Sequence, residues 1–351
     1  MMHAPVTHIL ALTRLRRARM LEQRGSVLVR VGQELNALDV VAEAPPRRKH
    51  LLLDVPEMLG IPKSRFSKSV IGREVGDKLT EGDVIAEAGG MFKRVVRAPA
   101  DSEILMIMSG VMLLQVDQPV VPLLAGLSGT VVDVLPERGA IIESTGALLQ
   151  GVWGNGRISA GTLVMLAQGP AGELKADRLD ISLRGSVGVA GQCRDRAALL
   201  AAAELPLQGL VLGSMPSDLI ATALQIEIPL ILLEGFGNLP IHHHAYKILS
   251  TNEKRDIDLN AAPLDRYLGE RPELLIPLPA TAEFPPETDQ FRFGQTVKVL
   301  SAPHQSMTGT LEEIHYEPVL LPNGLRTKVA TIRLENNERV SIPFTNLEVL
   351  E

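Results

Sequence analysis

The chain has 351 residues, 45% of them hydrophobic and only 3% aromatic, which is enough aliphatic material for two or three domain cores. Its net charge of -6 excludes the overall basic balance of a dedicated nucleic-acid binder. A single cysteine, Cys193, excludes an intrachain disulfide and any cysteine-based zinc site within one chain, and it fits a reducing, cytoplasmic setting.

Near the N-terminus, HILALTRLRRARM (His8–Met20) turns basic too soon to be the apolar core of a signal peptide. Two stretches then repeat: Val31–Ala44 reads VGQELNALDVVAEA and Val75–Ala88 reads VGDKLTEGDVIAEA, at an offset of 44. Each predicts a short strand, a polar turn and a second short strand. Between the copies, Asp54 is placed to cap a short helix with Pro56 in its first turn. Lys63, Arg65, Lys68 and Arg73, preceded by PPRRKH (Pro45–His50), give this stretch a basic, solvated face. The segment Ile104–Leu127 is strongly apolar but is interrupted by Asp117, Pro119 and Pro122. It therefore predicts buried strands rather than the run of about 20 apolar residues that a spanning helix needs.

The repeat, with the strand-like KRVVRAPADSEILMI (Lys93–Ile107) behind it, resembles biotinyl/lipoyl-like domains over roughly residues 25–120. The resemblance implies a barrel-sandwich hybrid. In those domains a lysine on a tight turn carries biotin or lipoate. Neither Lys78 nor Lys93 stands in that context, so the resemblance implies the fold without the carrier role or its cofactor.

Further along, Val131–Leu135 and Ala140–Glu143 predict a hairpin across PERG. GVWGNGR (Gly151–Arg157) holds the lone Trp153, read as a packing anchor, and a tight-turn signal at Asn155-Gly156. Its glycines lack the Lys-Ser/Thr that a phosphate loop requires.

From about residue 180 the pattern changes. LDISLRGSVGVAG predicts a strand and loop, QGLVLGS (Gln208–Ser214) and IPLILLEGFG (Ile228–Gly237) buried strands, and PELLIPLP (Pro272–Pro279) a last strand. Asp195–Pro206, Pro216–Ile226 and the run IHHHAYKILS predict helices. Such alternation implies a small, Rossmann-like parallel α/β domain. Ligands bind at the carboxyl ends of strands in such sheets. Gly213, Ser214, Glu234, Gly235, Phe236 and Gly237 are therefore the candidate ligand-binding residues. His242, His243 and His244 follow the same strand. Successive helical residues point about 100° apart, so these three cannot converge on one metal ion, and neither a metal nor a cofactor is expected. GSVGVAG (Gly185–Gly191) could cradle an anion but lacks an acidic partner for a ribose.

After the Pro-rich linker TAEFPPETDQ comes FRFGQTVKVLSAPHQSMTGTLEEIHYEP, with turn signals at Pro322-Asn323-Gly324 and Asn336-Asn337. Gly294, Val297, Val299, Ala302-Pro303-His304 and Gly309-Thr310-Leu311 carry a resemblance to the KOW motif of NusG-type elongation factors and some ribosomal proteins. That resemblance implies a five-stranded SH3-like barrel that binds RNA, a ribosome or RNA polymerase. Lys298, Arg326 and Lys328 are the candidate contact residues for a nucleic acid or protein partner.

The expected organisation is multidomain, β-rich plus α/β. Residues 1–170 form a β region with the internal repeat, 178–280 an α/β domain, 281–289 a linker and 290–351 the barrel. Without a complete catalytic constellation, the sequence reads as a non-enzymatic adaptor with a protein partner, the ribosome or RNA polymerase, and with RNA as a weaker candidate. A ligand-binding or enzymatic site at Gly213 and Glu234–Gly237 is the alternative, and a structural assembly protein the second.

Overall fold

Aliphatic runs too short for helices make strands buried on both faces, and three of them form the parallel part of the largest sheet. Ser186–Gln192, Gly209–Met215 and Leu230–Phe236 lie side by side in one direction, and Ile158–Met165 joins them in the same sense. Alternation along each strand divides its side chains between two cores. Val187, Val189, Val211, Ile231 and Leu233 face one core, together with Ile241, Ala245, Ile248 and Leu249. Ala190, Leu210, Leu212, Leu230 and Leu232 face the other, with Ala198, Leu199 and Ala202 of the helix Arg196–Glu204. The Asp195 carboxylate caps that helix by accepting the Ala197 N–H at 2.9 Å.

The computed structural model describes residues 4–45, 49–67, 70–88, 93–116, 120–265, 270–285 and 290–350. The basic residues at 46–48, Lys68, Asp117 with Pro119, and linker residues 286–289 lie outside them. The chain is β-rich, 48% strand against 14% helix, in several sheets. It divides into two compact units, one of Met1–Met20, Val27–Val41 and Leu124–Glu351, the other of Leu21–Ser26 and Ala42–Leu123.

Within the first unit, the large sheet runs across the boundary expected between residues 170 and 178. Asp256–Asn260 pairs antiparallel with Ile158–Met165, and Glu273–Pro277, Gly139–Gln150, Gly129–Leu135 and Glu34–Leu35 continue outward. Glu273–Pro277, expected as a parallel strand, is antiparallel to both neighbours. Among the described residues no helix separates it from Asp256–Asn260, and a parallel return would need a crossover. The basic N-terminal stretch is itself a long strand: Ile9–Met20 runs antiparallel along Gly139–Gln150.

A six-stranded sheet holds the C-terminal residues around an apolar core that includes Val297, Val299, Leu311, Ile332, Leu347 and Val349. Val6–Thr7 adds a parallel strand to Leu347–Leu350, a pairing of the two ends of the chain that no local pattern announces.

In the second unit, Lys49–Asp54, Val111–Val116, Ser102–Met108 and Lys78–Leu79 form a four-stranded sheet. The apolar segment Ile104–Leu127 thus enters a hairpin, Ser102–Met108 against Val111–Val116, that turns at Ser109-Gly110 with both φ angles positive. No helix among the described residues is long and apolar enough to cross a membrane. Asp54 caps the short helix Val55–Leu59, accepting the Glu57 N–H, and forms an exposed ion pair with Lys63.

The repeat is real at atomic level. Each copy contains a two-residue strand, Glu34–Leu35 or Lys78–Leu79, then a five-residue strand, Val40–Ala44 or Val84–Ala88. Asp39 accepts the Asn36 N–H, and Asp83 accepts the Thr80 N–H at the same place in its own copy. Leu35 and Leu79 are both buried.

Candidate functional site

The strand register brings the expected ligand-binding residues together: Ser214 lies opposite Gly235 and Met215 opposite Phe236. Their polar groups are nevertheless committed to the fold. The Ser214 hydroxyl is fully buried, donates to the Leu239 carbonyl at 2.8 Å and accepts the Leu239 N–H at 2.8 Å. Ile241 N–H is tied to the Pro170 carbonyl. Gly213 is glycine because of close approach: a Cβ there would stand 2.4 Å from the Gly191 carbonyl oxygen and 2.9 Å from Ile241 N. Phe236 is partly exposed and packs edge-on against Trp153, at 5.8 Å between ring centroids. Trp153 pairs with Leu232, so it anchors a strand edge, as its setting among glycines suggests.

The three histidines diverge. His242 caps the helix His243–Thr251: its Nδ1 accepts the Ala245 N–H at 3.1 Å, which places the ring proton on Nε2. Burial holds His242 below the ordinary histidine range, with Glu234 opposing the shift and Lys298 adding to it. His243 and His244 are exposed, and His244 Nε2 donates to the Ile9 carbonyl at 3.1 Å. Among the described residues no group of three or more His, Cys, Asp or Glu is placed to hold a metal ion. Cys193 is buried, and burial pushes its thiol up to about 11.

Glu234 accepts the His242 backbone N–H at 3.0 Å through one oxygen and the Lys298 ammonium at 3.1 Å through the other. The Lys298 side chain is only 4% exposed, and Glu234 is fully enclosed. Glu348 stands 3.9 Å from the same ammonium; it also accepts from the Thr7 hydroxyl and, at 3.4 Å, from Arg271. Two cations therefore face two carboxylates in a closed network. This corrects the expectation that Lys298 presents its charge to a partner: strand alternation turns it inward, where Glu234 and Glu348 neutralise it.

Arg326 and Lys328 do reach the surface, near the tip of a long hairpin made by Thr308–Leu320 and Arg326–Leu334. Its outer part carries Tyr316, 71% exposed, Leu320, 69% exposed, and Leu325. The turn at its tip uses Gly324 at φ 82° and is closed by Leu325 and Leu321 backbone bonds.

A second concentration of charge lies along Ile9–Met20, which the sequence showed only as a basic run. Arg14 and Arg16 share the Glu143 carboxylate and sit over the Phe284 ring at 4.9 and 5.0 Å. From the same strand, Arg17 grips Glu273 with Nε and Nη2 at 2.8–3.1 Å. Arg16, Arg17, Arg19 and Arg271 line one cavity of about 380 Å³ with Glu270 and Glu273.

No protein-family model matches the chain, and no curated protein matches it.

Proposed function

We propose that the protein is a non-enzymatic interaction protein of the cytoplasm that docks a protein partner of the transcription or translation machinery through its C-terminal sheet. The observation that carries this reading is the hairpin Thr308–Leu334. It sets Tyr316, Val319, Leu320 and Leu325 in solvent beside Arg326 and Lys328, in a chain with few aromatics. An exposed cluster of large apolar side chains with cations at its rim has the composition of a protein-docking surface. Nucleic-acid binding has less support, because Lys298 is withdrawn into the interior and phosphate contacts dominate such affinity.

On this reading the C-terminal strands are a KOW-type SH3-like barrel, and roughly residues 25–120 are a barrel-sandwich module without a carrier lysine. Lys93 pairs with Glu87 at 3.3 Å and Lys78 sits in a strand, which supports a module without a carrier role. The enzymatic or ligand-binding alternative at Gly213 and Glu234–Gly237 loses support because Ser214 and Glu234 already have their partners.

The test is affinity capture from lysate by the full chain and by the triple variant Tyr316→Ala, Leu320→Ala, Leu325→Ser, with and without nuclease. Ribosomal or polymerase subunits recovered by the wild type and lost by the variant, independent of nuclease, are the expected result. Equal recovery by both chains, or none of these subunits with either, overturns it.

A further inference from the structure

We infer that the cavity walled by Arg16, Arg17, Arg19 and Arg271 is a binding site for a small oxyanion of two or more negative charges, a phosphate ester or a polycarboxylate. Four guanidiniums and two carboxylates line it. Outside the lining, Glu348 answers Arg271 and Glu143 is shared by Arg14 and Arg16, so five guanidiniums meet four carboxylates and one positive charge is left over.

The walls are held in place before any ligand arrives. Arg17 is locked on Glu273. Arg271 donates to the Val6 carbonyl at 2.8 Å and the Thr7 hydroxyl at 2.6 Å. Arg19 is different. Its Nε donates to the Leu124 carbonyl at 3.1 Å, and its two terminal nitrogens have no protein acceptor among the described residues. Gly126, at φ +75°, leaves room beside it: a Cβ there would come within 3.4 Å of the Arg19 guanidinium carbon and 3.2 Å of the Asn260 amide nitrogen.

Burial tells the same story. It lowers the pKa of Arg19, with Glu270 and Glu273 opposing only in part. For Arg17 burial also acts downward, but the charge and hydrogen bonds of Glu273 outweigh it and the net shift is upward. Arg19 is therefore a half-buried cation whose terminal nitrogens bond to no carboxylate among the described residues. A planar guanidinium whose two terminal nitrogens have no acceptor among the described residues presents the fork that carboxylate and phosphate oxygens match. About 380 Å³ is more than a bare phosphate needs and lies within the roughly 300–1,000 Å³ range of small-molecule sites.

The experiment is calorimetric titration of the full chain with glucose 6-phosphate, inorganic phosphate and citrate, each against chloride at matched ionic strength. Saturable one-to-one binding of at least one probe is expected. Preference for glucose 6-phosphate marks the ligand as a phosphate ester, and preference for citrate as a polycarboxylate. Arg19→Gln is expected to weaken binding at least fivefold, and Arg178→Gln, at an exposed residue that does not line the cavity, to leave it unchanged. No binding beyond the chloride control, or a loss under fivefold in Arg19→Gln, overturns the inference. If Arg19→Gln does not fold, phenylglyoxal labelling of the wild type read by mass spectrometry decides the matter. The bound probe must protect Arg19 and leave the exposed Arg178 reactive, and failure to protect Arg19 refutes the site. Neither outcome depends on the docking hairpin.

Discussion

At the ends of the parallel strands, Lys298 and Arg271 meet Glu234 and Glu348 in a closed network. Beside Ile9–Met20, Arg16, Arg17, Arg19 and Arg271 face Glu270 and Glu273 around an open cavity, and the Arg19 terminal nitrogens have no acceptor among the described residues. Both places are rich in buried charge, but only the first is balanced. A balanced network serves the fold, because each charge removed from water has a partner. A surplus serves the fold badly and has a reason to exist only if something else supplies the missing charge. Charge balance, rather than charge count, thus separates the structural site from the binding site.

The comparison breaks most easily at Lys298. Lys298→Met leaves Glu234 buried without its cation and is expected to cost about 3–5 kcal/mol in urea denaturation. The double variant Lys298→Met, Glu234→Leu should recover much of that loss. A cost under about 1 kcal/mol for the single change, the level of a solvated surface pair, would place Lys298 outside the structural class. Ser214→Ala comes next. It strips the Leu239 N–H and carbonyl of their partner and should cost about 1–3 kcal/mol by the same measurement, as expected if Ser214 holds a loop rather than a ligand.

His242 gives a smaller, pH-dependent effect. Because burial lowers its pKa, the unfolded chain takes up the proton more readily than the folded one. The stability linked to it is full above the unfolded value of about 6.5 and is lost as pH falls through that value toward the folded one. Denaturation at pH 7.5 and 5.5 should show this loss, at most about 1.4 kcal/mol per pH unit. His242→Asn, which retains a capping side chain, should remove it.

Arg19→Gln should have the least effect on the ligand-free protein, within about 1 kcal/mol of wild type, since it deletes a charge the fold does not balance and one hydrogen bond. A stability loss as large as that of Lys298→Met would erase the distinction between the two sites. Cys193, with its thiol at about 11, should resist iodoacetamide at pH 8 until the chain is unfolded.

Much of the local structure was legible because its causes are local. Asp54 and Asp195 announce the helices they cap, and PERG its hairpin. The repeat was legible in matching letters at an offset of 44, and the hydrogen bonds of Asp39 and Asp83 reproduce the match. The direction of Glu273–Pro277 was not legible, since an aliphatic run fits a parallel or an antiparallel neighbour equally well. Ser214 and Glu234 could be placed at one sheet edge, but not seen to be satisfied there. Their partners, Leu239 and Lys298, arrive from loops and strands whose approach depends on the whole fold.

The sequence by itself determined the β-rich character, the repeat, the capped helices and the aliphatic strands that need two covered faces. These follow from propensity, periodicity and side-chain hydrogen bonds spanning a few residues. Tertiary structure alone decided which charges would be neutral. Lys298 finds Glu234 across 64 residues and Arg17 finds Glu273 across 256, while the terminal nitrogens of Arg19, from the same strand as Arg17, find no acceptor among the described residues. Electrostatic balance is a property of distances in space, and a basic stretch such as TRLRRARM carries its charges without carrying the positions of the carboxylates that answer them.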